Sequence, residues 1–384
     1  MKKIAIIGFG GAGYSAAKEA RQRDAEAEIH VYSDTDLGPY NPMLTTYYVK
    51  GTIPYDALFP FGSLEEVQKE LNLIVHPHTP VTGLDPAAKT VRLSDGSEAR
   101  YDAILISTGA SAVKPQLEGI ELPGVFTMRT VEDAVQLKEA LASGKVRAGL
   151  VFGASWSGIK GVHLAFGRTL DHIEPSEDGR LVAVANTGER YTADLIAVTS
   201  GVRPNLAFLK GTDIAVGKGV TVNEHMESNY PGIYAAGDCC DAFETQSRTV
   251  KNLALWLNSM QQGRVAGNCM TGGDARFGAN VSLSLAHYLH YDFFSIGDVS
   301  ICKDADELYE YEDEHLYIRG VRVADAIKCL NVIGSAESNG ILKSAFIKAI
   351  ENKDAGLDLK SVCYLKWKGF PDSFIEFLGG LNLD

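Results

Sequence analysis

The stretch IAIIGFGGAGYSAAKEA, residues 4–20, begins with an apolar, β-branched run and continues through a glycine-rich turn into helix-forming residues. Such a run is typical of a strand that is buried on both faces of a parallel sheet. Gly8, Gly10 and Gly13 match G-x-G-x-x-G, in which the glycines permit the tight turn, the approach of a pyrophosphate and close helix packing. The stretch therefore predicts a dinucleotide-binding strand, turn and helix; the alternative is a glycine turn without a ligand.

A second apolar run, EIHVYSD, ends at Asp34. This acid follows the glycines by about 20 residues, the separation at which a carboxylate binds ribose hydroxyls in such folds. The spacing favours the ligand-binding interpretation of the turn.

Length and charge restrict the class of protein. The chain has 384 residues, which suits two or three domains, and a formal net charge of −13. That charge argues against a nucleic-acid partner, and no apolar run is long enough to span a membrane. The six cysteines form no C-x-x-C pair, which is typical of free thiols in the cytoplasm.

One design occurs twice in the chain. TVRLSDGSEARYDAILISTGA, residues 90–110, predicts a hairpin and then a buried strand, and residues 181–205 repeat this order. GIYAAGDCCDA, residues 232–242, adds a further buried strand before Gly237 and Asp238. The duplication predicts two related nucleotide-binding folds, one inserted into the other.

Four motifs occur in a recognisable order: the glycine turn, STGA at 107–110, TSGVRPN at 199–205 and GIYAAGDC at 232–239. Together they resemble the FAD-dependent pyridine nucleotide–disulfide oxidoreductase superfamily, in its ferredoxin-reductase and NADH-oxidase-like branch. LWLNSMQQGRVAGNCM, residues 255–270, is similar to the helix that follows the aspartate motif in that superfamily.

The resemblance implies an α/β fold with three parts. A Rossmann-like FAD domain would comprise residues 1–112 and 227–278, and a shortened second Rossmann-like domain, related to NAD(P)-binding domains, would comprise residues 113–226. Residues 279–384 would form a C-terminal α+β dimerisation domain.

The resemblance also implies the cofactor contacts. FAD would lie against the turn glycines through its pyrophosphate, against Asp34 through its ribose, and beside the backbone of Val81 through its adenine. Asp238 would hold ribityl or phosphate oxygens, although a helix cap is the alternative role for an aspartate at this position. The complete set of expected contacts is Gly8, Gly10, Gly11, Gly13, Asp34, Val81, Thr108, Gly109, Gly237 and Asp238.

Many members of the superfamily carry a redox cysteine in the segment that corresponds to GPYNPMLTTYYVKG, residues 38–51, but this chain has none there. A disulfide or sulfenate mechanism therefore lacks its nucleophile, and we interpret Cys239 as a small packing residue. Asn41, Tyr47, Tyr48 and Lys50 are polar candidates for a catalytic role near the isoalloxazine; packing beneath the ring is the equal alternative.

The second glycine turn is incomplete. GLVFGASWSG, residues 149–158, keeps Gly153 and Gly158 but has Ser155 in place of the central glycine. Compared with a full βαβαβ half, about 40 residues that would hold the second strand and its ribose-binding acid are missing. Glu174 and Asp178 lie near the expected spacing, but we predict a solvated turn there. NAD(P)H binding is therefore uncertain.

After about residue 277 the pattern changes to aromatic-rich strands followed by a helix over ILKSAFIKAIENK, residues 341–353. This order resembles the dimerisation domain of the superfamily and predicts a homodimer. His287 and His290 are interpreted as packing or interface residues rather than metal ligands.

These patterns predict a cytoplasmic, FAD-dependent oxidoreductase whose flavin exchanges hydride or electrons directly with a small-molecule or protein partner. The alternative is a flavin-bearing electron-transfer or structural subunit of a larger complex that does not use NAD(P)H. The donor and the acceptor stay open between these two hypotheses.

Overall fold

The apolar run that opens the chain forms a strand, and the glycine turn leads from it directly into a helix. The computed structural model describes residues 1–153, 165–278, 280–288, 291–298, 306–323, 326–334, 336–350 and 356–380. The predictions for Ser155, Gly158 and His290 lie outside these residues.

The first part of the chain alternates strands with helices before it enters a hairpin. Its strands are β1 (Lys3–Ile7), β2 (Glu28–Tyr32), β3 (Ile74–His76), β4 (Val81–Asp85), β5 (Thr90–Leu93), β6 (Glu98–Arg100), β7 (Ala103–Ile106) and β8 (Ala110–Ala112). Its helices are α1 (Gly11–Arg23), α2 (Thr45–Lys50) and α3 (Leu64–Leu71), with short 3-10 turns at Pro42–Leu44 and Tyr55–Leu58.

The middle of the chain contains one described helix, α4 (Val131–Ala142). Its strands are β9 (Val125–Phe126), β10 (Gly149–Phe152), β11 (Leu170–Pro175), β12 (Leu181–Ala185), β13 (Arg190–Ala193), β14 (Leu195–Val198) and β15 (Val202–Pro204). The chain then passes through a 3-10 turn at Ala207–Leu209 to β16 (Val220–Thr221), β17 (Ile233–Ala235), β18 (Cys240–Glu244), β19 (Thr249–Lys251) and helix α5 (Trp256–Met270).

The main sheet joins distant parts of the chain. Its five described strands are parallel and lie in the order β17, β7, β1, β2, β3. Buried aliphatic residues such as Ile4, Ile29 and Ile104 fill its interior, and α1 packs against α5. The predicted α/β class is confirmed, as is the helix predicted over residues 255–270.

The duplicated design is also present. β5, β6 and β7 form a hairpin followed by a main-sheet strand, and β12, β13 and β14 repeat this order. In the second copy the described parallel sheet is reduced to the order β10, β14, β9, beside the antiparallel sheet β11, β12, β13.

The reduced sheet leaves one strand poorly covered. Val151 of β10 is 64% exposed, whereas Ala197, its partner in β14, is 8% exposed. Helix α4 covers β14, because Leu137 packs on Leu195 and Ala197. β10 is the outermost of the described strands in this sheet.

The interpretation of Glu174 as part of a turn is wrong. Glu174 lies in β11, opposite Val182 of β12, and its carboxylate accepts a hydrogen bond from Arg190 of β13. β11 continues through Pro175, because its pairing with β12 extends to the pair of Pro175 and Leu181. β12 pairs in turn with β13. Asp178 does lie in the exposed turn that follows, where it pairs with Arg180.

The last part of the chain is a sheet covered by helices. The strands are β20 (Leu283–Tyr288), β21 (Tyr291–Gly297), β22 (Glu307–Glu312), β23 (Tyr317–Val323) and β24 (Ala326–Gly334), and the helices are α6 (Asn339–Ile350), α7 (Leu359–Trp367) and α8 (Asp372–Phe377), after a 3-10 turn at Ala336–Ser338. The described strands are antiparallel, in the order β20, β21, β24, β23, β22. Phe294, Phe346 and Phe374 are fully buried between sheet and helices.

A helix that crosses a bilayer needs about 20 mostly apolar residues, and the helices of the described residues fall short of this. None of them is both long enough and apolar enough to cross a membrane.

Candidate cofactor-binding site

A cavity lies at the carboxyl ends of the main-sheet strands. Its walls come from the turns that follow β1, β2, β7 and β17, together with residues just before α4 and α5. Ligands of open α/β sheets bind at this edge, because the loops after parallel strands converge there. The fold therefore brings most of the predicted contacts together.

The glycines of the first turn serve two different purposes. A Cβ at Gly8, where φ is +94°, would lie 2.4 Å from the carbonyl oxygen of Ser107, and one at Gly13 would lie 2.4 Å from that of Gly8. A Cβ at Gly10 would meet no atom within 4 Å, although Gly10 lines the cavity. The chain itself requires Gly8 and Gly13, whereas the space at Gly10 is free for a ligand.

The same turn presents the start of α1 to the cavity. Gly10 is the N-cap residue, and no side chain caps the helix. The first N–H groups of a helix have no intrahelical partners and carry partial positive charge. Gly10, Gly11 and Ala12 line the cavity, so the helix start is available to an anion such as a pyrophosphate.

The loop after β2 brings Asp34 to the cavity wall. Its neighbour Ser33 is fixed from both sides, because the Ser33 N–H donates to the carbonyl of His76 at 3.1 Å and the Ser33 carbonyl accepts from Thr79 N–H at 2.8 Å. Asp34 itself is exposed and lines the cavity. A backbone fixed by these hydrogen bonds therefore presents an exposed carboxylate at the position predicted for ribose binding.

Asp238 is held in place by two side chains. Its carboxylate accepts hydrogen bonds from the Arg129 guanidinium and, at 3.2 Å, from the Ser259 hydroxyl, and the side chain is 12% exposed. The alternative role as a helix cap is wrong: β18 follows Asp238, and the N-cap residue of α5 is Leu255. Gly237 before it has φ +89° and donates its N–H to Gln262 at 2.8 Å.

Sequence reasoning missed Arg129. Its backbone N–H donates to Asp133 at 2.8 Å and its Nε donates to the carbonyl of Ala110 at 3.1 Å, so the guanidinium is aimed at Asp238. The capping box formed by Thr130 and Asp133 starts α4 and fixes this loop. The pattern T-x-x-D was visible in the sequence and could have located the helix start, but not the partner of the arginine.

Thr108 and Gly109 line the cavity as predicted, and they are tied to the inserted fold. The Thr108 hydroxyl donates to the carbonyl of Asn205 at 2.8 Å, and the Asn205 amide donates to the carbonyl of Thr108 at 3.0 Å. Val81, in contrast, lies in β4 and does not line the cavity.

The segment over residues 38–51 contributes different side chains from those predicted. Tyr40, Pro42 and Met43 line the cavity, whereas the candidates Asn41, Tyr47 and Lys50 do not. The Asn41 side chain accepts from Met43 N–H at 3.0 Å, which caps the 3-10 turn.

The other candidates of that segment are in α2. The Tyr47 hydroxyl donates to the carbonyl of His287 at 3.4 Å, which connects α2 to the C-terminal sheet. Lys50 lies in the last turn of α2. Burial, with a further contribution from the nearby Glu132 carboxylate, raises the pKa of the Tyr40 phenol to about 12.

No cysteine is among the described residues that line the cavity. Cys239 is fully buried and burial raises the pKa of its thiol to about 11; burial likewise raises the pKa of Cys240. Thiolate nucleophiles require a lowered pKa and some exposure. The structure therefore agrees with the interpretation of Cys239 as a packing residue.

Three observations indicate that the cavity fits a flavin dinucleotide. The Gly10 space admits a group that a side chain would exclude, the start of α1 offers unpaired N–H groups, and Asp34 offers a free carboxylate. Arg129 is the one cation among the described lining residues, against the carboxylates of Asp34, Glu132 and Asp238. The arginine suits the negative charge of a pyrophosphate, and the carboxylates suit hydroxyl groups on either side of it.

Comparison with known proteins gives consistent results. A family profile described as pyridine nucleotide-disulphide oxidoreductase matches residues 2–160 and 159–263. The chain is 28% identical over 373 residues to an NADH-rubredoxin oxidoreductase of Clostridium acetobutylicum, with 89% of this chain and 94% of that protein covered.

A second relative is named as part of an assembly. It is the NADH-dependent phenylglyoxylate dehydrogenase subunit epsilon of Aromatoleum evansii, 25% identical over 370 residues, with 84% of this chain and 86% of that protein covered. Among solved structures, an NAD-dependent persulfide reductase from A. fulgidus superimposes with a TM-score of 0.82 at 23% identity, covering 90% of this chain and 77% of that one. This likeness shows that the fold is shared.

Proposed function

The chain belongs to the pyridine nucleotide-disulphide oxidoreductase family, and from this premise we propose that it is an FAD-dependent oxidoreductase that works without a cysteine relay. The observation that carries the proposal is the cavity between the Gly8–Gly13 turn and Asp238, which can accept a dinucleotide and has no described thiol in its walls. Bound FAD would supply reversible two-electron chemistry.

The residues of this chain have separate tasks in the proposed function. The start of α1 and Arg129 would hold the pyrophosphate, and Asp34 would hold the ribose. Asp238, positioned by Ser259, would accept hydrogen bonds from hydroxyl groups of the cofactor. Tyr40, Pro42 and Met43 cover the cavity where other family members place a cysteine, and they limit the access of water.

Without a cysteine relay, bound FAD would exchange electrons directly with the partner. Relatives of the chain include a protein named for transfer between NADH and rubredoxin, which supports a small redox protein as acceptor. The domain limits given above, the homodimer and the cytoplasmic location belong to the same proposal. The thiols of Cys239, Cys240, Cys269 and Cys363 form no disulfide, which supports a reducing compartment. Light scattering at micromolar concentration tests the dimer.

A second candidate function is that of a flavin-bearing subunit fed by a partner protein. The reduced β10, β14, β9 sheet favours it, and one relative is named as a subunit. Anaerobic mixing with NADH or NADPH separates the two candidates: rapid bleaching of the flavin absorbance supports the reductase, and absence of bleaching with both nucleotides supports the subunit. A protein that cannot be loaded with FAD would contradict both.

A further inference from the structure

One glycine of the first turn is not explained by the dinucleotide pattern. Residues 8–13 are G-F-G-G-A-G, so Gly11 occupies a position of G-x-G-x-x-G at which the pattern requires no glycine. Gly11 is the first residue of α1 and has no positive φ. A Cβ at Gly11 would lie 2.6 Å from the carbons Cη2 and Cζ3 of the Trp256 indole. The indole therefore accounts for a glycine at this position.

The indole of Trp256 is supported by two further aromatic rings. The rings of Trp256 and Phe61 are nearly parallel, with centroids 6.2 Å apart, and the ring of Phe61 stacks on Tyr14 of α1 at 4.1 Å. Tyr14 is itself buried. The three rings connect the first turns of α1 and α5 through the loop before α3, so a Cβ at Gly11 could not push the indole towards Phe61 without disturbing this stack.

Helix α1 is also fixed beside the indole. A Cβ at Gly263 of α5 would lie 2.1 Å from the carbonyl oxygen of Ala12, which shows how closely the two backbones approach each other. A displacement of α1 away from the indole would open this contact. The position of the start of α1 is therefore set by α5 at two neighbouring residues, Gly11 and Ala12.

The contact of Gly11 with Trp256 affects the ligand site directly, because both residues line the cavity. Gly11 follows the N-cap residue Gly10, so its N–H is one of the donors that have no acceptor within the helix. Hydrogen bonds from N–H groups need donor–acceptor distances of about 2.7–3.2 Å. A small shift of Gly11 is therefore enough to weaken its bond to a phosphate oxygen.

The opposite wall of the cavity does not depend on this contact. Asp34 lies after β2, and its neighbour Ser33 is held by backbone hydrogen bonds to His76 and Thr79, outside α1 and α5. A change at Trp256 should therefore affect the phosphate groups of a ligand and leave its adenosine contacts intact.

From these contacts we propose that Trp256 is a positioning residue, which acts through Gly11 and holds the start of α1 where its N–H groups reach the pyrophosphate of the cofactor. The inference rests on the proposed function. It gives the first residue of α5 a specific task in cofactor binding, and it makes Gly11 and Trp256 a matched pair in which one residue can compensate for a change in the other.

The test compares a ligand that has the pyrophosphate with one that lacks it. The full-length apoprotein is titrated with ADP and with adenosine, each in competition with FAD, and urea denaturation checks the fold. We expect Trp256→Leu to raise the Kd for ADP by about five- to tenfold, because the N–H of Gly11 loses its fixed position, and Gly11→Ala to raise it by about tenfold or more. The Kd for adenosine should stay within about twofold of the wild-type value in both variants.

The double variant tests whether the two residues act together. With Gly11→Ala and Trp256→Leu combined, the smaller side chain leaves room for the added Cβ, so the Kd for ADP should return to within about threefold of that of Trp256→Leu alone. Effects that simply multiply in the double variant would overturn the positioning role. An equal loss of ADP and adenosine affinity would also overturn it, because the substitution would then have loosened the whole site.

Two matched variants serve as controls. Trp367→Leu removes a tryptophan that is 74% exposed on α7, and Gly340→Ala adds a Cβ in α6 that meets no atom within 4 Å; both should bind ADP and adenosine like the wild type. Unchanged ADP affinity in Trp256→Leu and Gly11→Ala, in a protein that binds FAD, would overturn the positioning role alone. A wild-type protein that binds neither FAD nor ADP would contradict the proposed function instead.

Discussion

At the scale of single residues, the glycines of the first turn separate folding from binding. Gly13 is packed against the carbonyl of Gly8, whereas Gly10 faces only the cavity. A side chain at Gly10 therefore leaves the fold intact and occupies the space reserved for the ligand. The two positions share one motif but predict different phenotypes.

We expect Gly10→Val to fold normally and to bind FAD more weakly. Crowding of this kind costs about 1–3 kcal/mol, which corresponds to a rise of roughly 5- to 150-fold in the Kd for FAD. Fluorescence titration of the apoprotein measures the Kd, and urea denaturation of the same apoprotein checks the fold. Gly278→Ala, at an equally open glycine away from the cavity, is the control. Unchanged FAD affinity in Gly10→Val would contradict the placement of the pyrophosphate.

A second group of residues forms a polar cluster beneath the sheet. His30 and His76 share a hydrogen bond of 3.0 Å, and the other ring nitrogen of His30 lies 2.6 Å from the carboxylate of Glu28, which also pairs with Lys3. The ring of His76 stacks on Tyr32. Burial, followed by the charges of His30 and Lys3, lowers the pKa of His76.

This lowered pKa predicts a pH dependence of stability. Between the folded pKa of His76 and the unfolded value of about 6.5, the unfolded chain binds more protons, so stability falls as the pH drops through this window. We expect the urea midpoint of unfolding to fall less in His76→Gln than in the wild type when the pH is lowered from 7.5 to 5.5. His172→Gln is the control of opposite sign, because hydrogen bonding to Asp171 raises the pKa of His172. An equal decrease of the urea midpoint in wild type and His76→Gln would show that protonation of His76 does not govern stability between pH 7.5 and 5.5.

At the scale of elements, the sequence was informative wherever local pattern and tertiary position agree. The β1 run and the repeated hairpin designs predicted their strands because buried parallel strands need unbroken apolar residues. Arg129 and Tyr40 were missed because their importance arises from packing between loops distant in sequence. Val81, Asn41, Tyr47 and Lys50 were chosen by position within a motif, and position alone does not determine which side chains of a loop or short helix face a cavity.

The contact between α1 and α5 gives a prediction at this scale. A Cβ at Gly263 would lie 2.1 Å from the carbonyl oxygen of Ala12, and one at Gly267 would lie 2.4 Å from that of Ala16. We expect Gly263→Ala to lower the free energy of unfolding by about 1–3 kcal/mol and to weaken FAD binding, because α1 carries the glycine turn.

Urea denaturation and FAD titration measure both effects of this substitution. The matched control is Gly340→Ala in α6, where an added Cβ meets no atom within 4 Å and helix propensity predicts a gain of about 0.5–1 kcal/mol. Wild-type stability in Gly263→Ala would mean that α5 can move away from α1 without cost, contrary to the packing described.

At the scale of the whole molecule, the two copies of the repeated design differ in their described parallel sheets, which have five strands in the first copy and three in the second. The main sheet has its second strand, β2, with Asp34 after it. In the parallel sheet of β10, β14 and β9, β10 is the edge strand, and no described strand pairs with its outer side. The two folds remain joined through Thr108 and Asn205, so the reduced fold still closes one side of the cavity.

The reduced fold predicts weak binding of NADH and NADPH. Adenosine contacts supply binding energy remote from the reacting ring, and losing two charge-assisted hydrogen bonds, at about 1.5–3 kcal/mol each, weakens binding by roughly two orders of magnitude or more. In anaerobic stopped-flow experiments, the flavin reduction rate should therefore not saturate at micromolar nucleotide. Reduced nicotinamide mononucleotide is the matched control: without an adenosine pocket it should reduce the flavin nearly as fast as NADH at equal concentration. Saturation by NADH or NADPH at low micromolar concentration, with a large advantage over the mononucleotide, would mean that residues outside the reduced sheet complete the nucleotide site.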